Sequence, residues 1–111
     1  MEITYSDFEK VEMRIGTIVH AEVFEEARKP AYKLTIDFGS EIGIKRSSAQ
    51  ITTHYTPESL LKKQVVAVVN FPAKQIGPFM SECLVLGAVG KEGDVVLLGP
   101  ERSITNGLRI A

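Results

Sequence analysis

The 111 residues are close to the commonest size for one domain, and 44% hydrophobic against 24% charged residues exclude a disordered chain. A net charge of −1 excludes general attraction to polyanions, and the single cysteine, Cys83, excludes an internal disulfide or a thiolate metal cage within one chain. The longest aliphatic runs, residues 65–69 and 84–86, are too short to cross a bilayer, and residues 1–10 carry Glu2, Asp7 and Glu9 with no apolar core. A cytoplasmic location with no membrane insertion is therefore expected.

The charge is unevenly spread. Residues 1–27 hold seven acids against Lys10 and Arg14, a balance of −5. Residues 28–80 hold Arg28, Lys29, Lys33, Lys45, Arg46, Lys62, Lys63 and Lys74 against Asp37, Glu41 and Glu58, a balance of +5. Such asymmetry fits two readings, a face that meets an anionic partner or ordinary scattered solvated charge, and composition alone does not choose between them.

Ser6-Asp7-Phe8-Glu9 has the spacing of a capping box, which predicts a short helix with Phe8 and Val11 on one face. Residues 14–23 are rich in β-branched side chains and predict a strand, in which Gly16 marks an expected bulge or bend. Residues 25–30 read as a loop. Tyr32, Leu34, Ile36 and Phe38 then alternate with Lys33, Thr35 and Asp37, the period-two pattern of a strand with one buried face. After a tight connection at residues 38–41, Ile42 and Ile44 restart the alternation, and Lys45, Arg46, Ser47, Ser48 and Gln50 complete a hairpin.

Thr56-Pro57-Glu58 predicts a helix start (hydroxyl cap, proline at the first position, acid in the first turn), the helix running to about Lys62. Residues 64–70 form an aliphatic strand, 71–79 a loop, 81–89 a strand, 90–94 a turn and 95–98 a last strand; Asn106-Gly107 predicts a turn before Leu108 and Ile110. This order predicts an all-β fold: a five-stranded Greek-key OB-fold barrel with a short helix between strands three and four. A short N-terminal helix and a C-terminal extension complete a single domain over residues 1–111.

Catalytic signals are missing. No glycine-rich loop joins a strand to a helix, no nucleophile elbow surrounds Ser47, Ser48 or Ser81, and His20 and His54 stand outside any metal-ligand spacing. Cys83 lies in an apolar run and reads as a small buried hydrophobe. The expectation is a binding protein with no catalytic residues, no metal and no cofactor. Lys45, Arg46, Ser47, Ser48 and Gln50 on the hairpin, Asn70, Lys74 and Gln75 in the following loop, and Ser81 at the next strand supply donors for phosphates and base edges. In an OB barrel these two groups are expected to meet in one groove. There is no Trp, and Phe38, Phe71, Tyr32 and Tyr55 read mostly as core, so a shaped, folded RNA is a better candidate than a plain single strand.

The stretches MRIGTIVHAE (13–22), KLTIDFG (33–39), SSAQITTHYTPESLLKKQVVAVVNF (47–71) and SECLVLGA (81–88) resemble the tRNA-binding domain family, an OB module found free as a homodimer and attached to some aminoacyl-tRNA synthetases. Within it, IGIKRSSAQI (42–51) and FPAKQIGPFMSECLVLG (71–87) resemble the CsaA-type proteins, homodimers described as export-related chaperones that bind unfolded precursor proteins. The resemblance implies ligand contact at Arg46, Ser47, Ser48, Gln50, Asn70, Lys74, Gln75, Ser81 and Glu82. Its implied partners are tRNA or structured RNA, unfolded precursor proteins, and a second copy of the chain. Relatives often carry two adjacent bases after the prolines; here Lys74-Gln75 offers one phosphate partner fewer. A dimer is also a sensible use for Phe8, Val11, Leu108 and Ile110, apolar residues that a closed barrel does not need.

Overall fold

In the computed structural model, which describes all 111 residues, the first strand is long enough to serve two neighbours. Its first half pairs antiparallel with one strand and its second half with another: β1 (Met13–Val23) meets β4 (Gln64–Val68) through Met13 to Thr17, and β2 (Tyr32–Asp37) through Thr17 to Val23. β3 (Ile44–Ala49) pairs along the whole of β2, and β7 (Leu84–Val85) pairs with β4. The sheet order is therefore β3-β2-β1-β4-β7.

The two edges of this sheet come together. The Glu82 amide donates to the Arg46 carbonyl at 2.7 Å, and the Ser47 hydroxyl donates to the Cys83 carbonyl at 2.9 Å. The result is a nearly closed five-stranded antiparallel barrel with only small helices, an OB-type all-β fold. The period-two alternation of β2 is what fills it: Leu34, Ile36 and Phe38 are fully buried against Ile18, Val65, Ala67 and Leu60. Leu60 comes from α2 (Pro57–Leu60), whose Thr56 cap and Ser59 bond reciprocally at 2.9 and 3.1 Å.

The chain outside the barrel is tied to it by backbone bonds. Residues 107–110 run beside the first half of β1, on the edge that β2 leaves free, through Gly107 to Ile15 (2.7 Å), Ile15 to Leu108 (3.0 Å) and Ile110 to Met13 (3.0 Å). Two further hairpins project: β5 (Lys74–Ile76) with β6 (Phe79–Ser81), and β8 (Gly87–Val89) with β9 (Val95–Leu97).

Several local expectations need correction. The first helix, α1 (Tyr5–Glu9), starts earlier than the Ser6/Glu9 pattern suggested, because Thr4 and Asp7 form the reciprocal cap, each bond 3.1 Å. The helix α2 stops at Leu60 because Leu61 adopts extended backbone and Lys62 a left-handed φ of 69°, and the Lys62 amide turns to the Ile18 carbonyl. Residues 71–79 contain a strand pair where a loop was expected, since the Gly77-Pro78 turn lets Ile76 and Phe79 face each other. The expected strand over 81–89 is broken, with β7 in the barrel and β8 in its own hairpin.

Gly16 is not the bulge. The register of β1 on β2 slips between Ile18 and His20, leaving Val19 as the extra residue. Gly16 instead permits close packing: a Cβ there would lie 2.6 Å from Ile36 Cγ2 and 2.7 Å from the Phe38 ring. Gly16→Ala is expected to destabilise the fold by about 1–3 kcal/mol through overpacking, measured by urea unfolding. A variant as stable as the parent would show that the barrel interior has slack at this layer.

Candidate functional site

A second, smaller apolar cluster stands outside the barrel core and organises the surface above β3. Phe24 at the end of β1, Ala31 before β2 and Phe79 of β6 are all buried together, with Ala27 and Ile76 packed against them. The Phe24 and Phe79 rings meet at 5.4 Å between centroids, tilted by 59°. This contact holds the loop of residues 25–30 opposite the β5–β6 hairpin, with β3 as the floor between them.

The space so enclosed is a groove of about 700 Å³ lined by Arg28, Lys29, Ser48, Gln50, Lys74 and Gln75, among others. The structure therefore brings Ser48 and Gln50 of the hairpin together with Lys74 and Gln75 of the distant loop. Arg46 stands two residues before Ser48 on the same outward parity of β3 and lies over the Phe79 ring at 4.4 Å. Arg28 and Lys29 belong to this groove as well, and sequence reading counted their charge without assigning them a place. The signal was Phe24, whose burial fixes the loop that carries them.

The cations at this surface differ in how far the chain neutralises them. Lys33 is paired with Glu22 and Glu26 at 3.8 and 3.9 Å and sits near both aromatic rings, whereas Arg28, Lys29, Lys45, Arg46 and Lys74 form no ion pair. Arg28, Lys29 and Lys74 at the groove and Arg46 beside it project their fields into solvent, whereas Lys45 shares the inward parity of Ser47 and is half-buried. Glu26 is the one acid on the rim.

Other expected ligand residues are engaged in the architecture. Ser47 is buried, its hydroxyl spent on the Cys83 carbonyl. Ser81 accepts from the Ser48 amide at 3.1 Å, and a Glu82 carboxylate oxygen accepts from the Arg46 amide at 2.9 Å, so both help close the barrel. The Asn70 amide donates to the Lys10 carbonyl at 2.7 Å and accepts from the Glu12 amide at 3.0 Å, anchoring the segment before β1. Phe71, read as core, is 56% exposed.

Phe71 instead borders a second hollow of about 420 Å³, apolar in lining, with Pro72, Ala73, Cys83 and Leu84. Lys74 lines both cavities. Of the residues expected to pair two copies, Val11 and Leu108 are exposed and Phe8 and Ile110 are half-buried; Phe8 shares an open apolar hollow with Ile3 and Tyr5. No helix is long and apolar enough to cross a membrane.

Residues 13–109 match the family described as "Putative tRNA binding domain", and the chain belongs to that family. Within it the chain stands near the CsaA chaperones. It is similar to the solved structure of chaperone CsaA from Bacillus anthracis, 54% identical, covering 100% of both chains with a TM-score of 0.94. It is also similar to the CsaA chaperone protein of Picrophilus torridus, 52% identical over 99% of this chain and 100% of the other, with a TM-score of 0.91. Among curated sequences, the methionine–tRNA ligase of Archaeoglobus fulgidus is 39% identical over 98% of this chain, and that of Pelodictyon phaeoclathratiforme 34% over 97%. The chain spans only 16% and 15% of the length of those two ligases.

Cys83 joins the barrel seam to the apolar hollow. Burial pushes its thiol from 9.0 up to about 11, opposed in part by the Ser47 hydroxyl and the Lys45 charge. Because the folded thiol is the weaker acid, this group leaves stability unchanged below about pH 9 and lowers it as the pH climbs towards 11, where the unfolded thiol ionises first. Native protein is expected to resist a thiol reagent at pH 8, and the parent should lose about 2 kcal/mol more than Cys83→Ala between pH 9 and 11. Parallel stability curves for the two proteins would refute the assignment.

Proposed function

We propose that this chain is a binding protein without catalytic activity, working as a CsaA-type homodimeric chaperone that holds unfolded precursor segments and also binds tRNA or similarly folded RNA. The observation that carries this reading is the junction at Lys74. It lines both a groove rimmed by unpaired cations, suited to phosphates, and an apolar hollow with Phe71 and Leu84 at its edge, suited to hydrophobic side chains. The chemistry of the RNA half is charge neutralisation by Arg28, Lys29, Lys45, Arg46 and Lys74, with the Ser48 hydroxyl and Gln50 and Gln75 amides to position backbone or base edges. The polypeptide half relies on apolar burial, which salt does not weaken.

Affinity for a tRNA transcript is expected to fall steeply with salt, and Lys74→Ala is expected to reduce the log–log salt slope by about one. A tRNA gel shift showing no complex at low salt would remove the RNA half of the proposal.

A dimer supports the chaperone half, since two hollows on one particle gain avidity for an extended client. Sedimentation should give about twice 12.2 kDa, and the protein should suppress aggregation of a denatured test protein in high salt. Phe71→Ser, which adds no charge beside Lys74, should weaken that protection several-fold while leaving tRNA binding within about twofold. A monomer that protects nothing leaves the alternative, a dedicated tRNA-binding protein.

A further inference from the structure

We infer that the Arg46 guanidinium, laid on the Phe79 ring, is a stacking platform for one unpaired nucleobase of the bound RNA. This rests on the RNA half of the function proposed above and specifies how the groove engages a base as well as the backbone.

No aromatic residue lines the basic groove itself, the exposed Phe71 lying in the neighbouring apolar hollow, and stacking is the usual way in which proteins hold splayed bases. The structure supplies a substitute. Phe79 is only 3% exposed, so its ring is unavailable to a ligand. Arg46 lies over that ring at 4.4 Å and is itself exposed. A guanidinium is flat and weakly hydrated, and one lying over a buried aromatic ring turns its far side to solvent as a cationic surface.

Two features make the platform stiff, and a third leaves it open to a ligand. The Arg46 amide and carbonyl are both bonded to Glu82, at 2.9 and 2.7 Å, so the backbone beneath the side chain is fixed. Phe79 is held by Phe24 on one flank and approached by the Lys33 ammonium at 5.9 Å, itself tethered by Glu22 and Glu26. Arg46 forms no ion pair, so no carboxylate must be displaced for a ligand to approach.

The neighbours favour a nucleobase as the occupant. Ser48, next along the same face of β3, and Gln50 beyond it line the groove with a hydroxyl and an amide, groups that bond to base edges. Lys74, Arg28 and Lys29 stand across from them for the phosphates. A base on the guanidinium thus has donors and acceptors at its edge and cations along its backbone.

The test uses the full chain with two probes, a tRNA transcript and a fully paired RNA duplex, titrated at several salt concentrations. Arg46→Lys keeps the charge and loses the plane. It is expected to weaken tRNA binding about 5–50-fold at every salt with an unchanged slope, and to leave duplex binding within about twofold. Arg46→Ala should add a slope reduction of about one for tRNA. Thermal unfolding of each variant checks the fold, which an exposed side chain should not disturb. Equal weakening on both probes would make Arg46 a phosphate fork and overturn the inference, as would an Arg46→Lys protein that binds tRNA like the parent. Loss of polypeptide capture with unchanged tRNA binding would assign the guanidinium to a protein client and overturn it too. If the parent binds no tRNA at low salt, the RNA half falls first and the platform with it.

Discussion

The seam between β3 and residues 81–83 is the constraint on which the molecule depends. The Cys83 thiol reaches the Arg46 carbonyl at 3.8 Å, and four shorter bonds make the seam: Glu82 amide to Arg46 carbonyl, Arg46 amide to the Glu82 carboxylate, Ser48 amide to the Ser81 hydroxyl, and Ser47 hydroxyl to the Cys83 carbonyl. Half of these use side chains as acceptors for backbone amides, where a regular ladder would use carbonyls. Removing the Ser47 hydroxyl would strand a buried carbonyl, at a cost of about 1–3 kcal/mol. The seam therefore closes the barrel with residues whose polarity would otherwise suggest contact with a ligand.

That arrangement also sets what the surface can do. Inward parity on β3 commits Ser47 to closure, and outward parity leaves Ser48 to line the groove and Arg46, two residues before it, over the Phe79 ring. The β5–β6 hairpin leads directly into the seam, so Lys74 and Gln75 are carried at a fixed distance from the β3 floor. The Phe24–Ala31–Phe79 cluster completes the frame by holding the loop with Arg28 and Lys29 on the opposite bank. A basic groove and an apolar hollow sharing Lys74 follow from that geometry, and the family match to tRNA-binding domains and the similarity to CsaA chaperones agree with a surface of two characters.

The chain alone determined the barrel and its filling. The unbroken alternation from Tyr32 to Phe38 buries one face, Thr56-Pro57-Glu58 carries the signals of a helix start, and short strands at 8–15-residue spacing fit a barrel or a sandwich, between which the helix position favours the barrel. It also carried the basic middle segment and the buried character of Cys83. These are local properties, set by period, capping and composition within a few residues.

Tertiary structure decided the rest, because it joins residues far apart in sequence. Whether a serine or amide faces a ligand or a seam depends on strand parity and on a partner dozens of residues away, as Ser47 with Cys83 and Asn70 with Lys10 show. Arg28 and Lys29 became part of the groove through the contact between Phe24 and Phe79, which no local pattern announces. Gly16 looked like a bend by residue type, yet its role is set by the Ile36 and Phe38 side chains packed onto it from the next strand. A single chain states which groups are polar or flexible; only packing states which of them remain free.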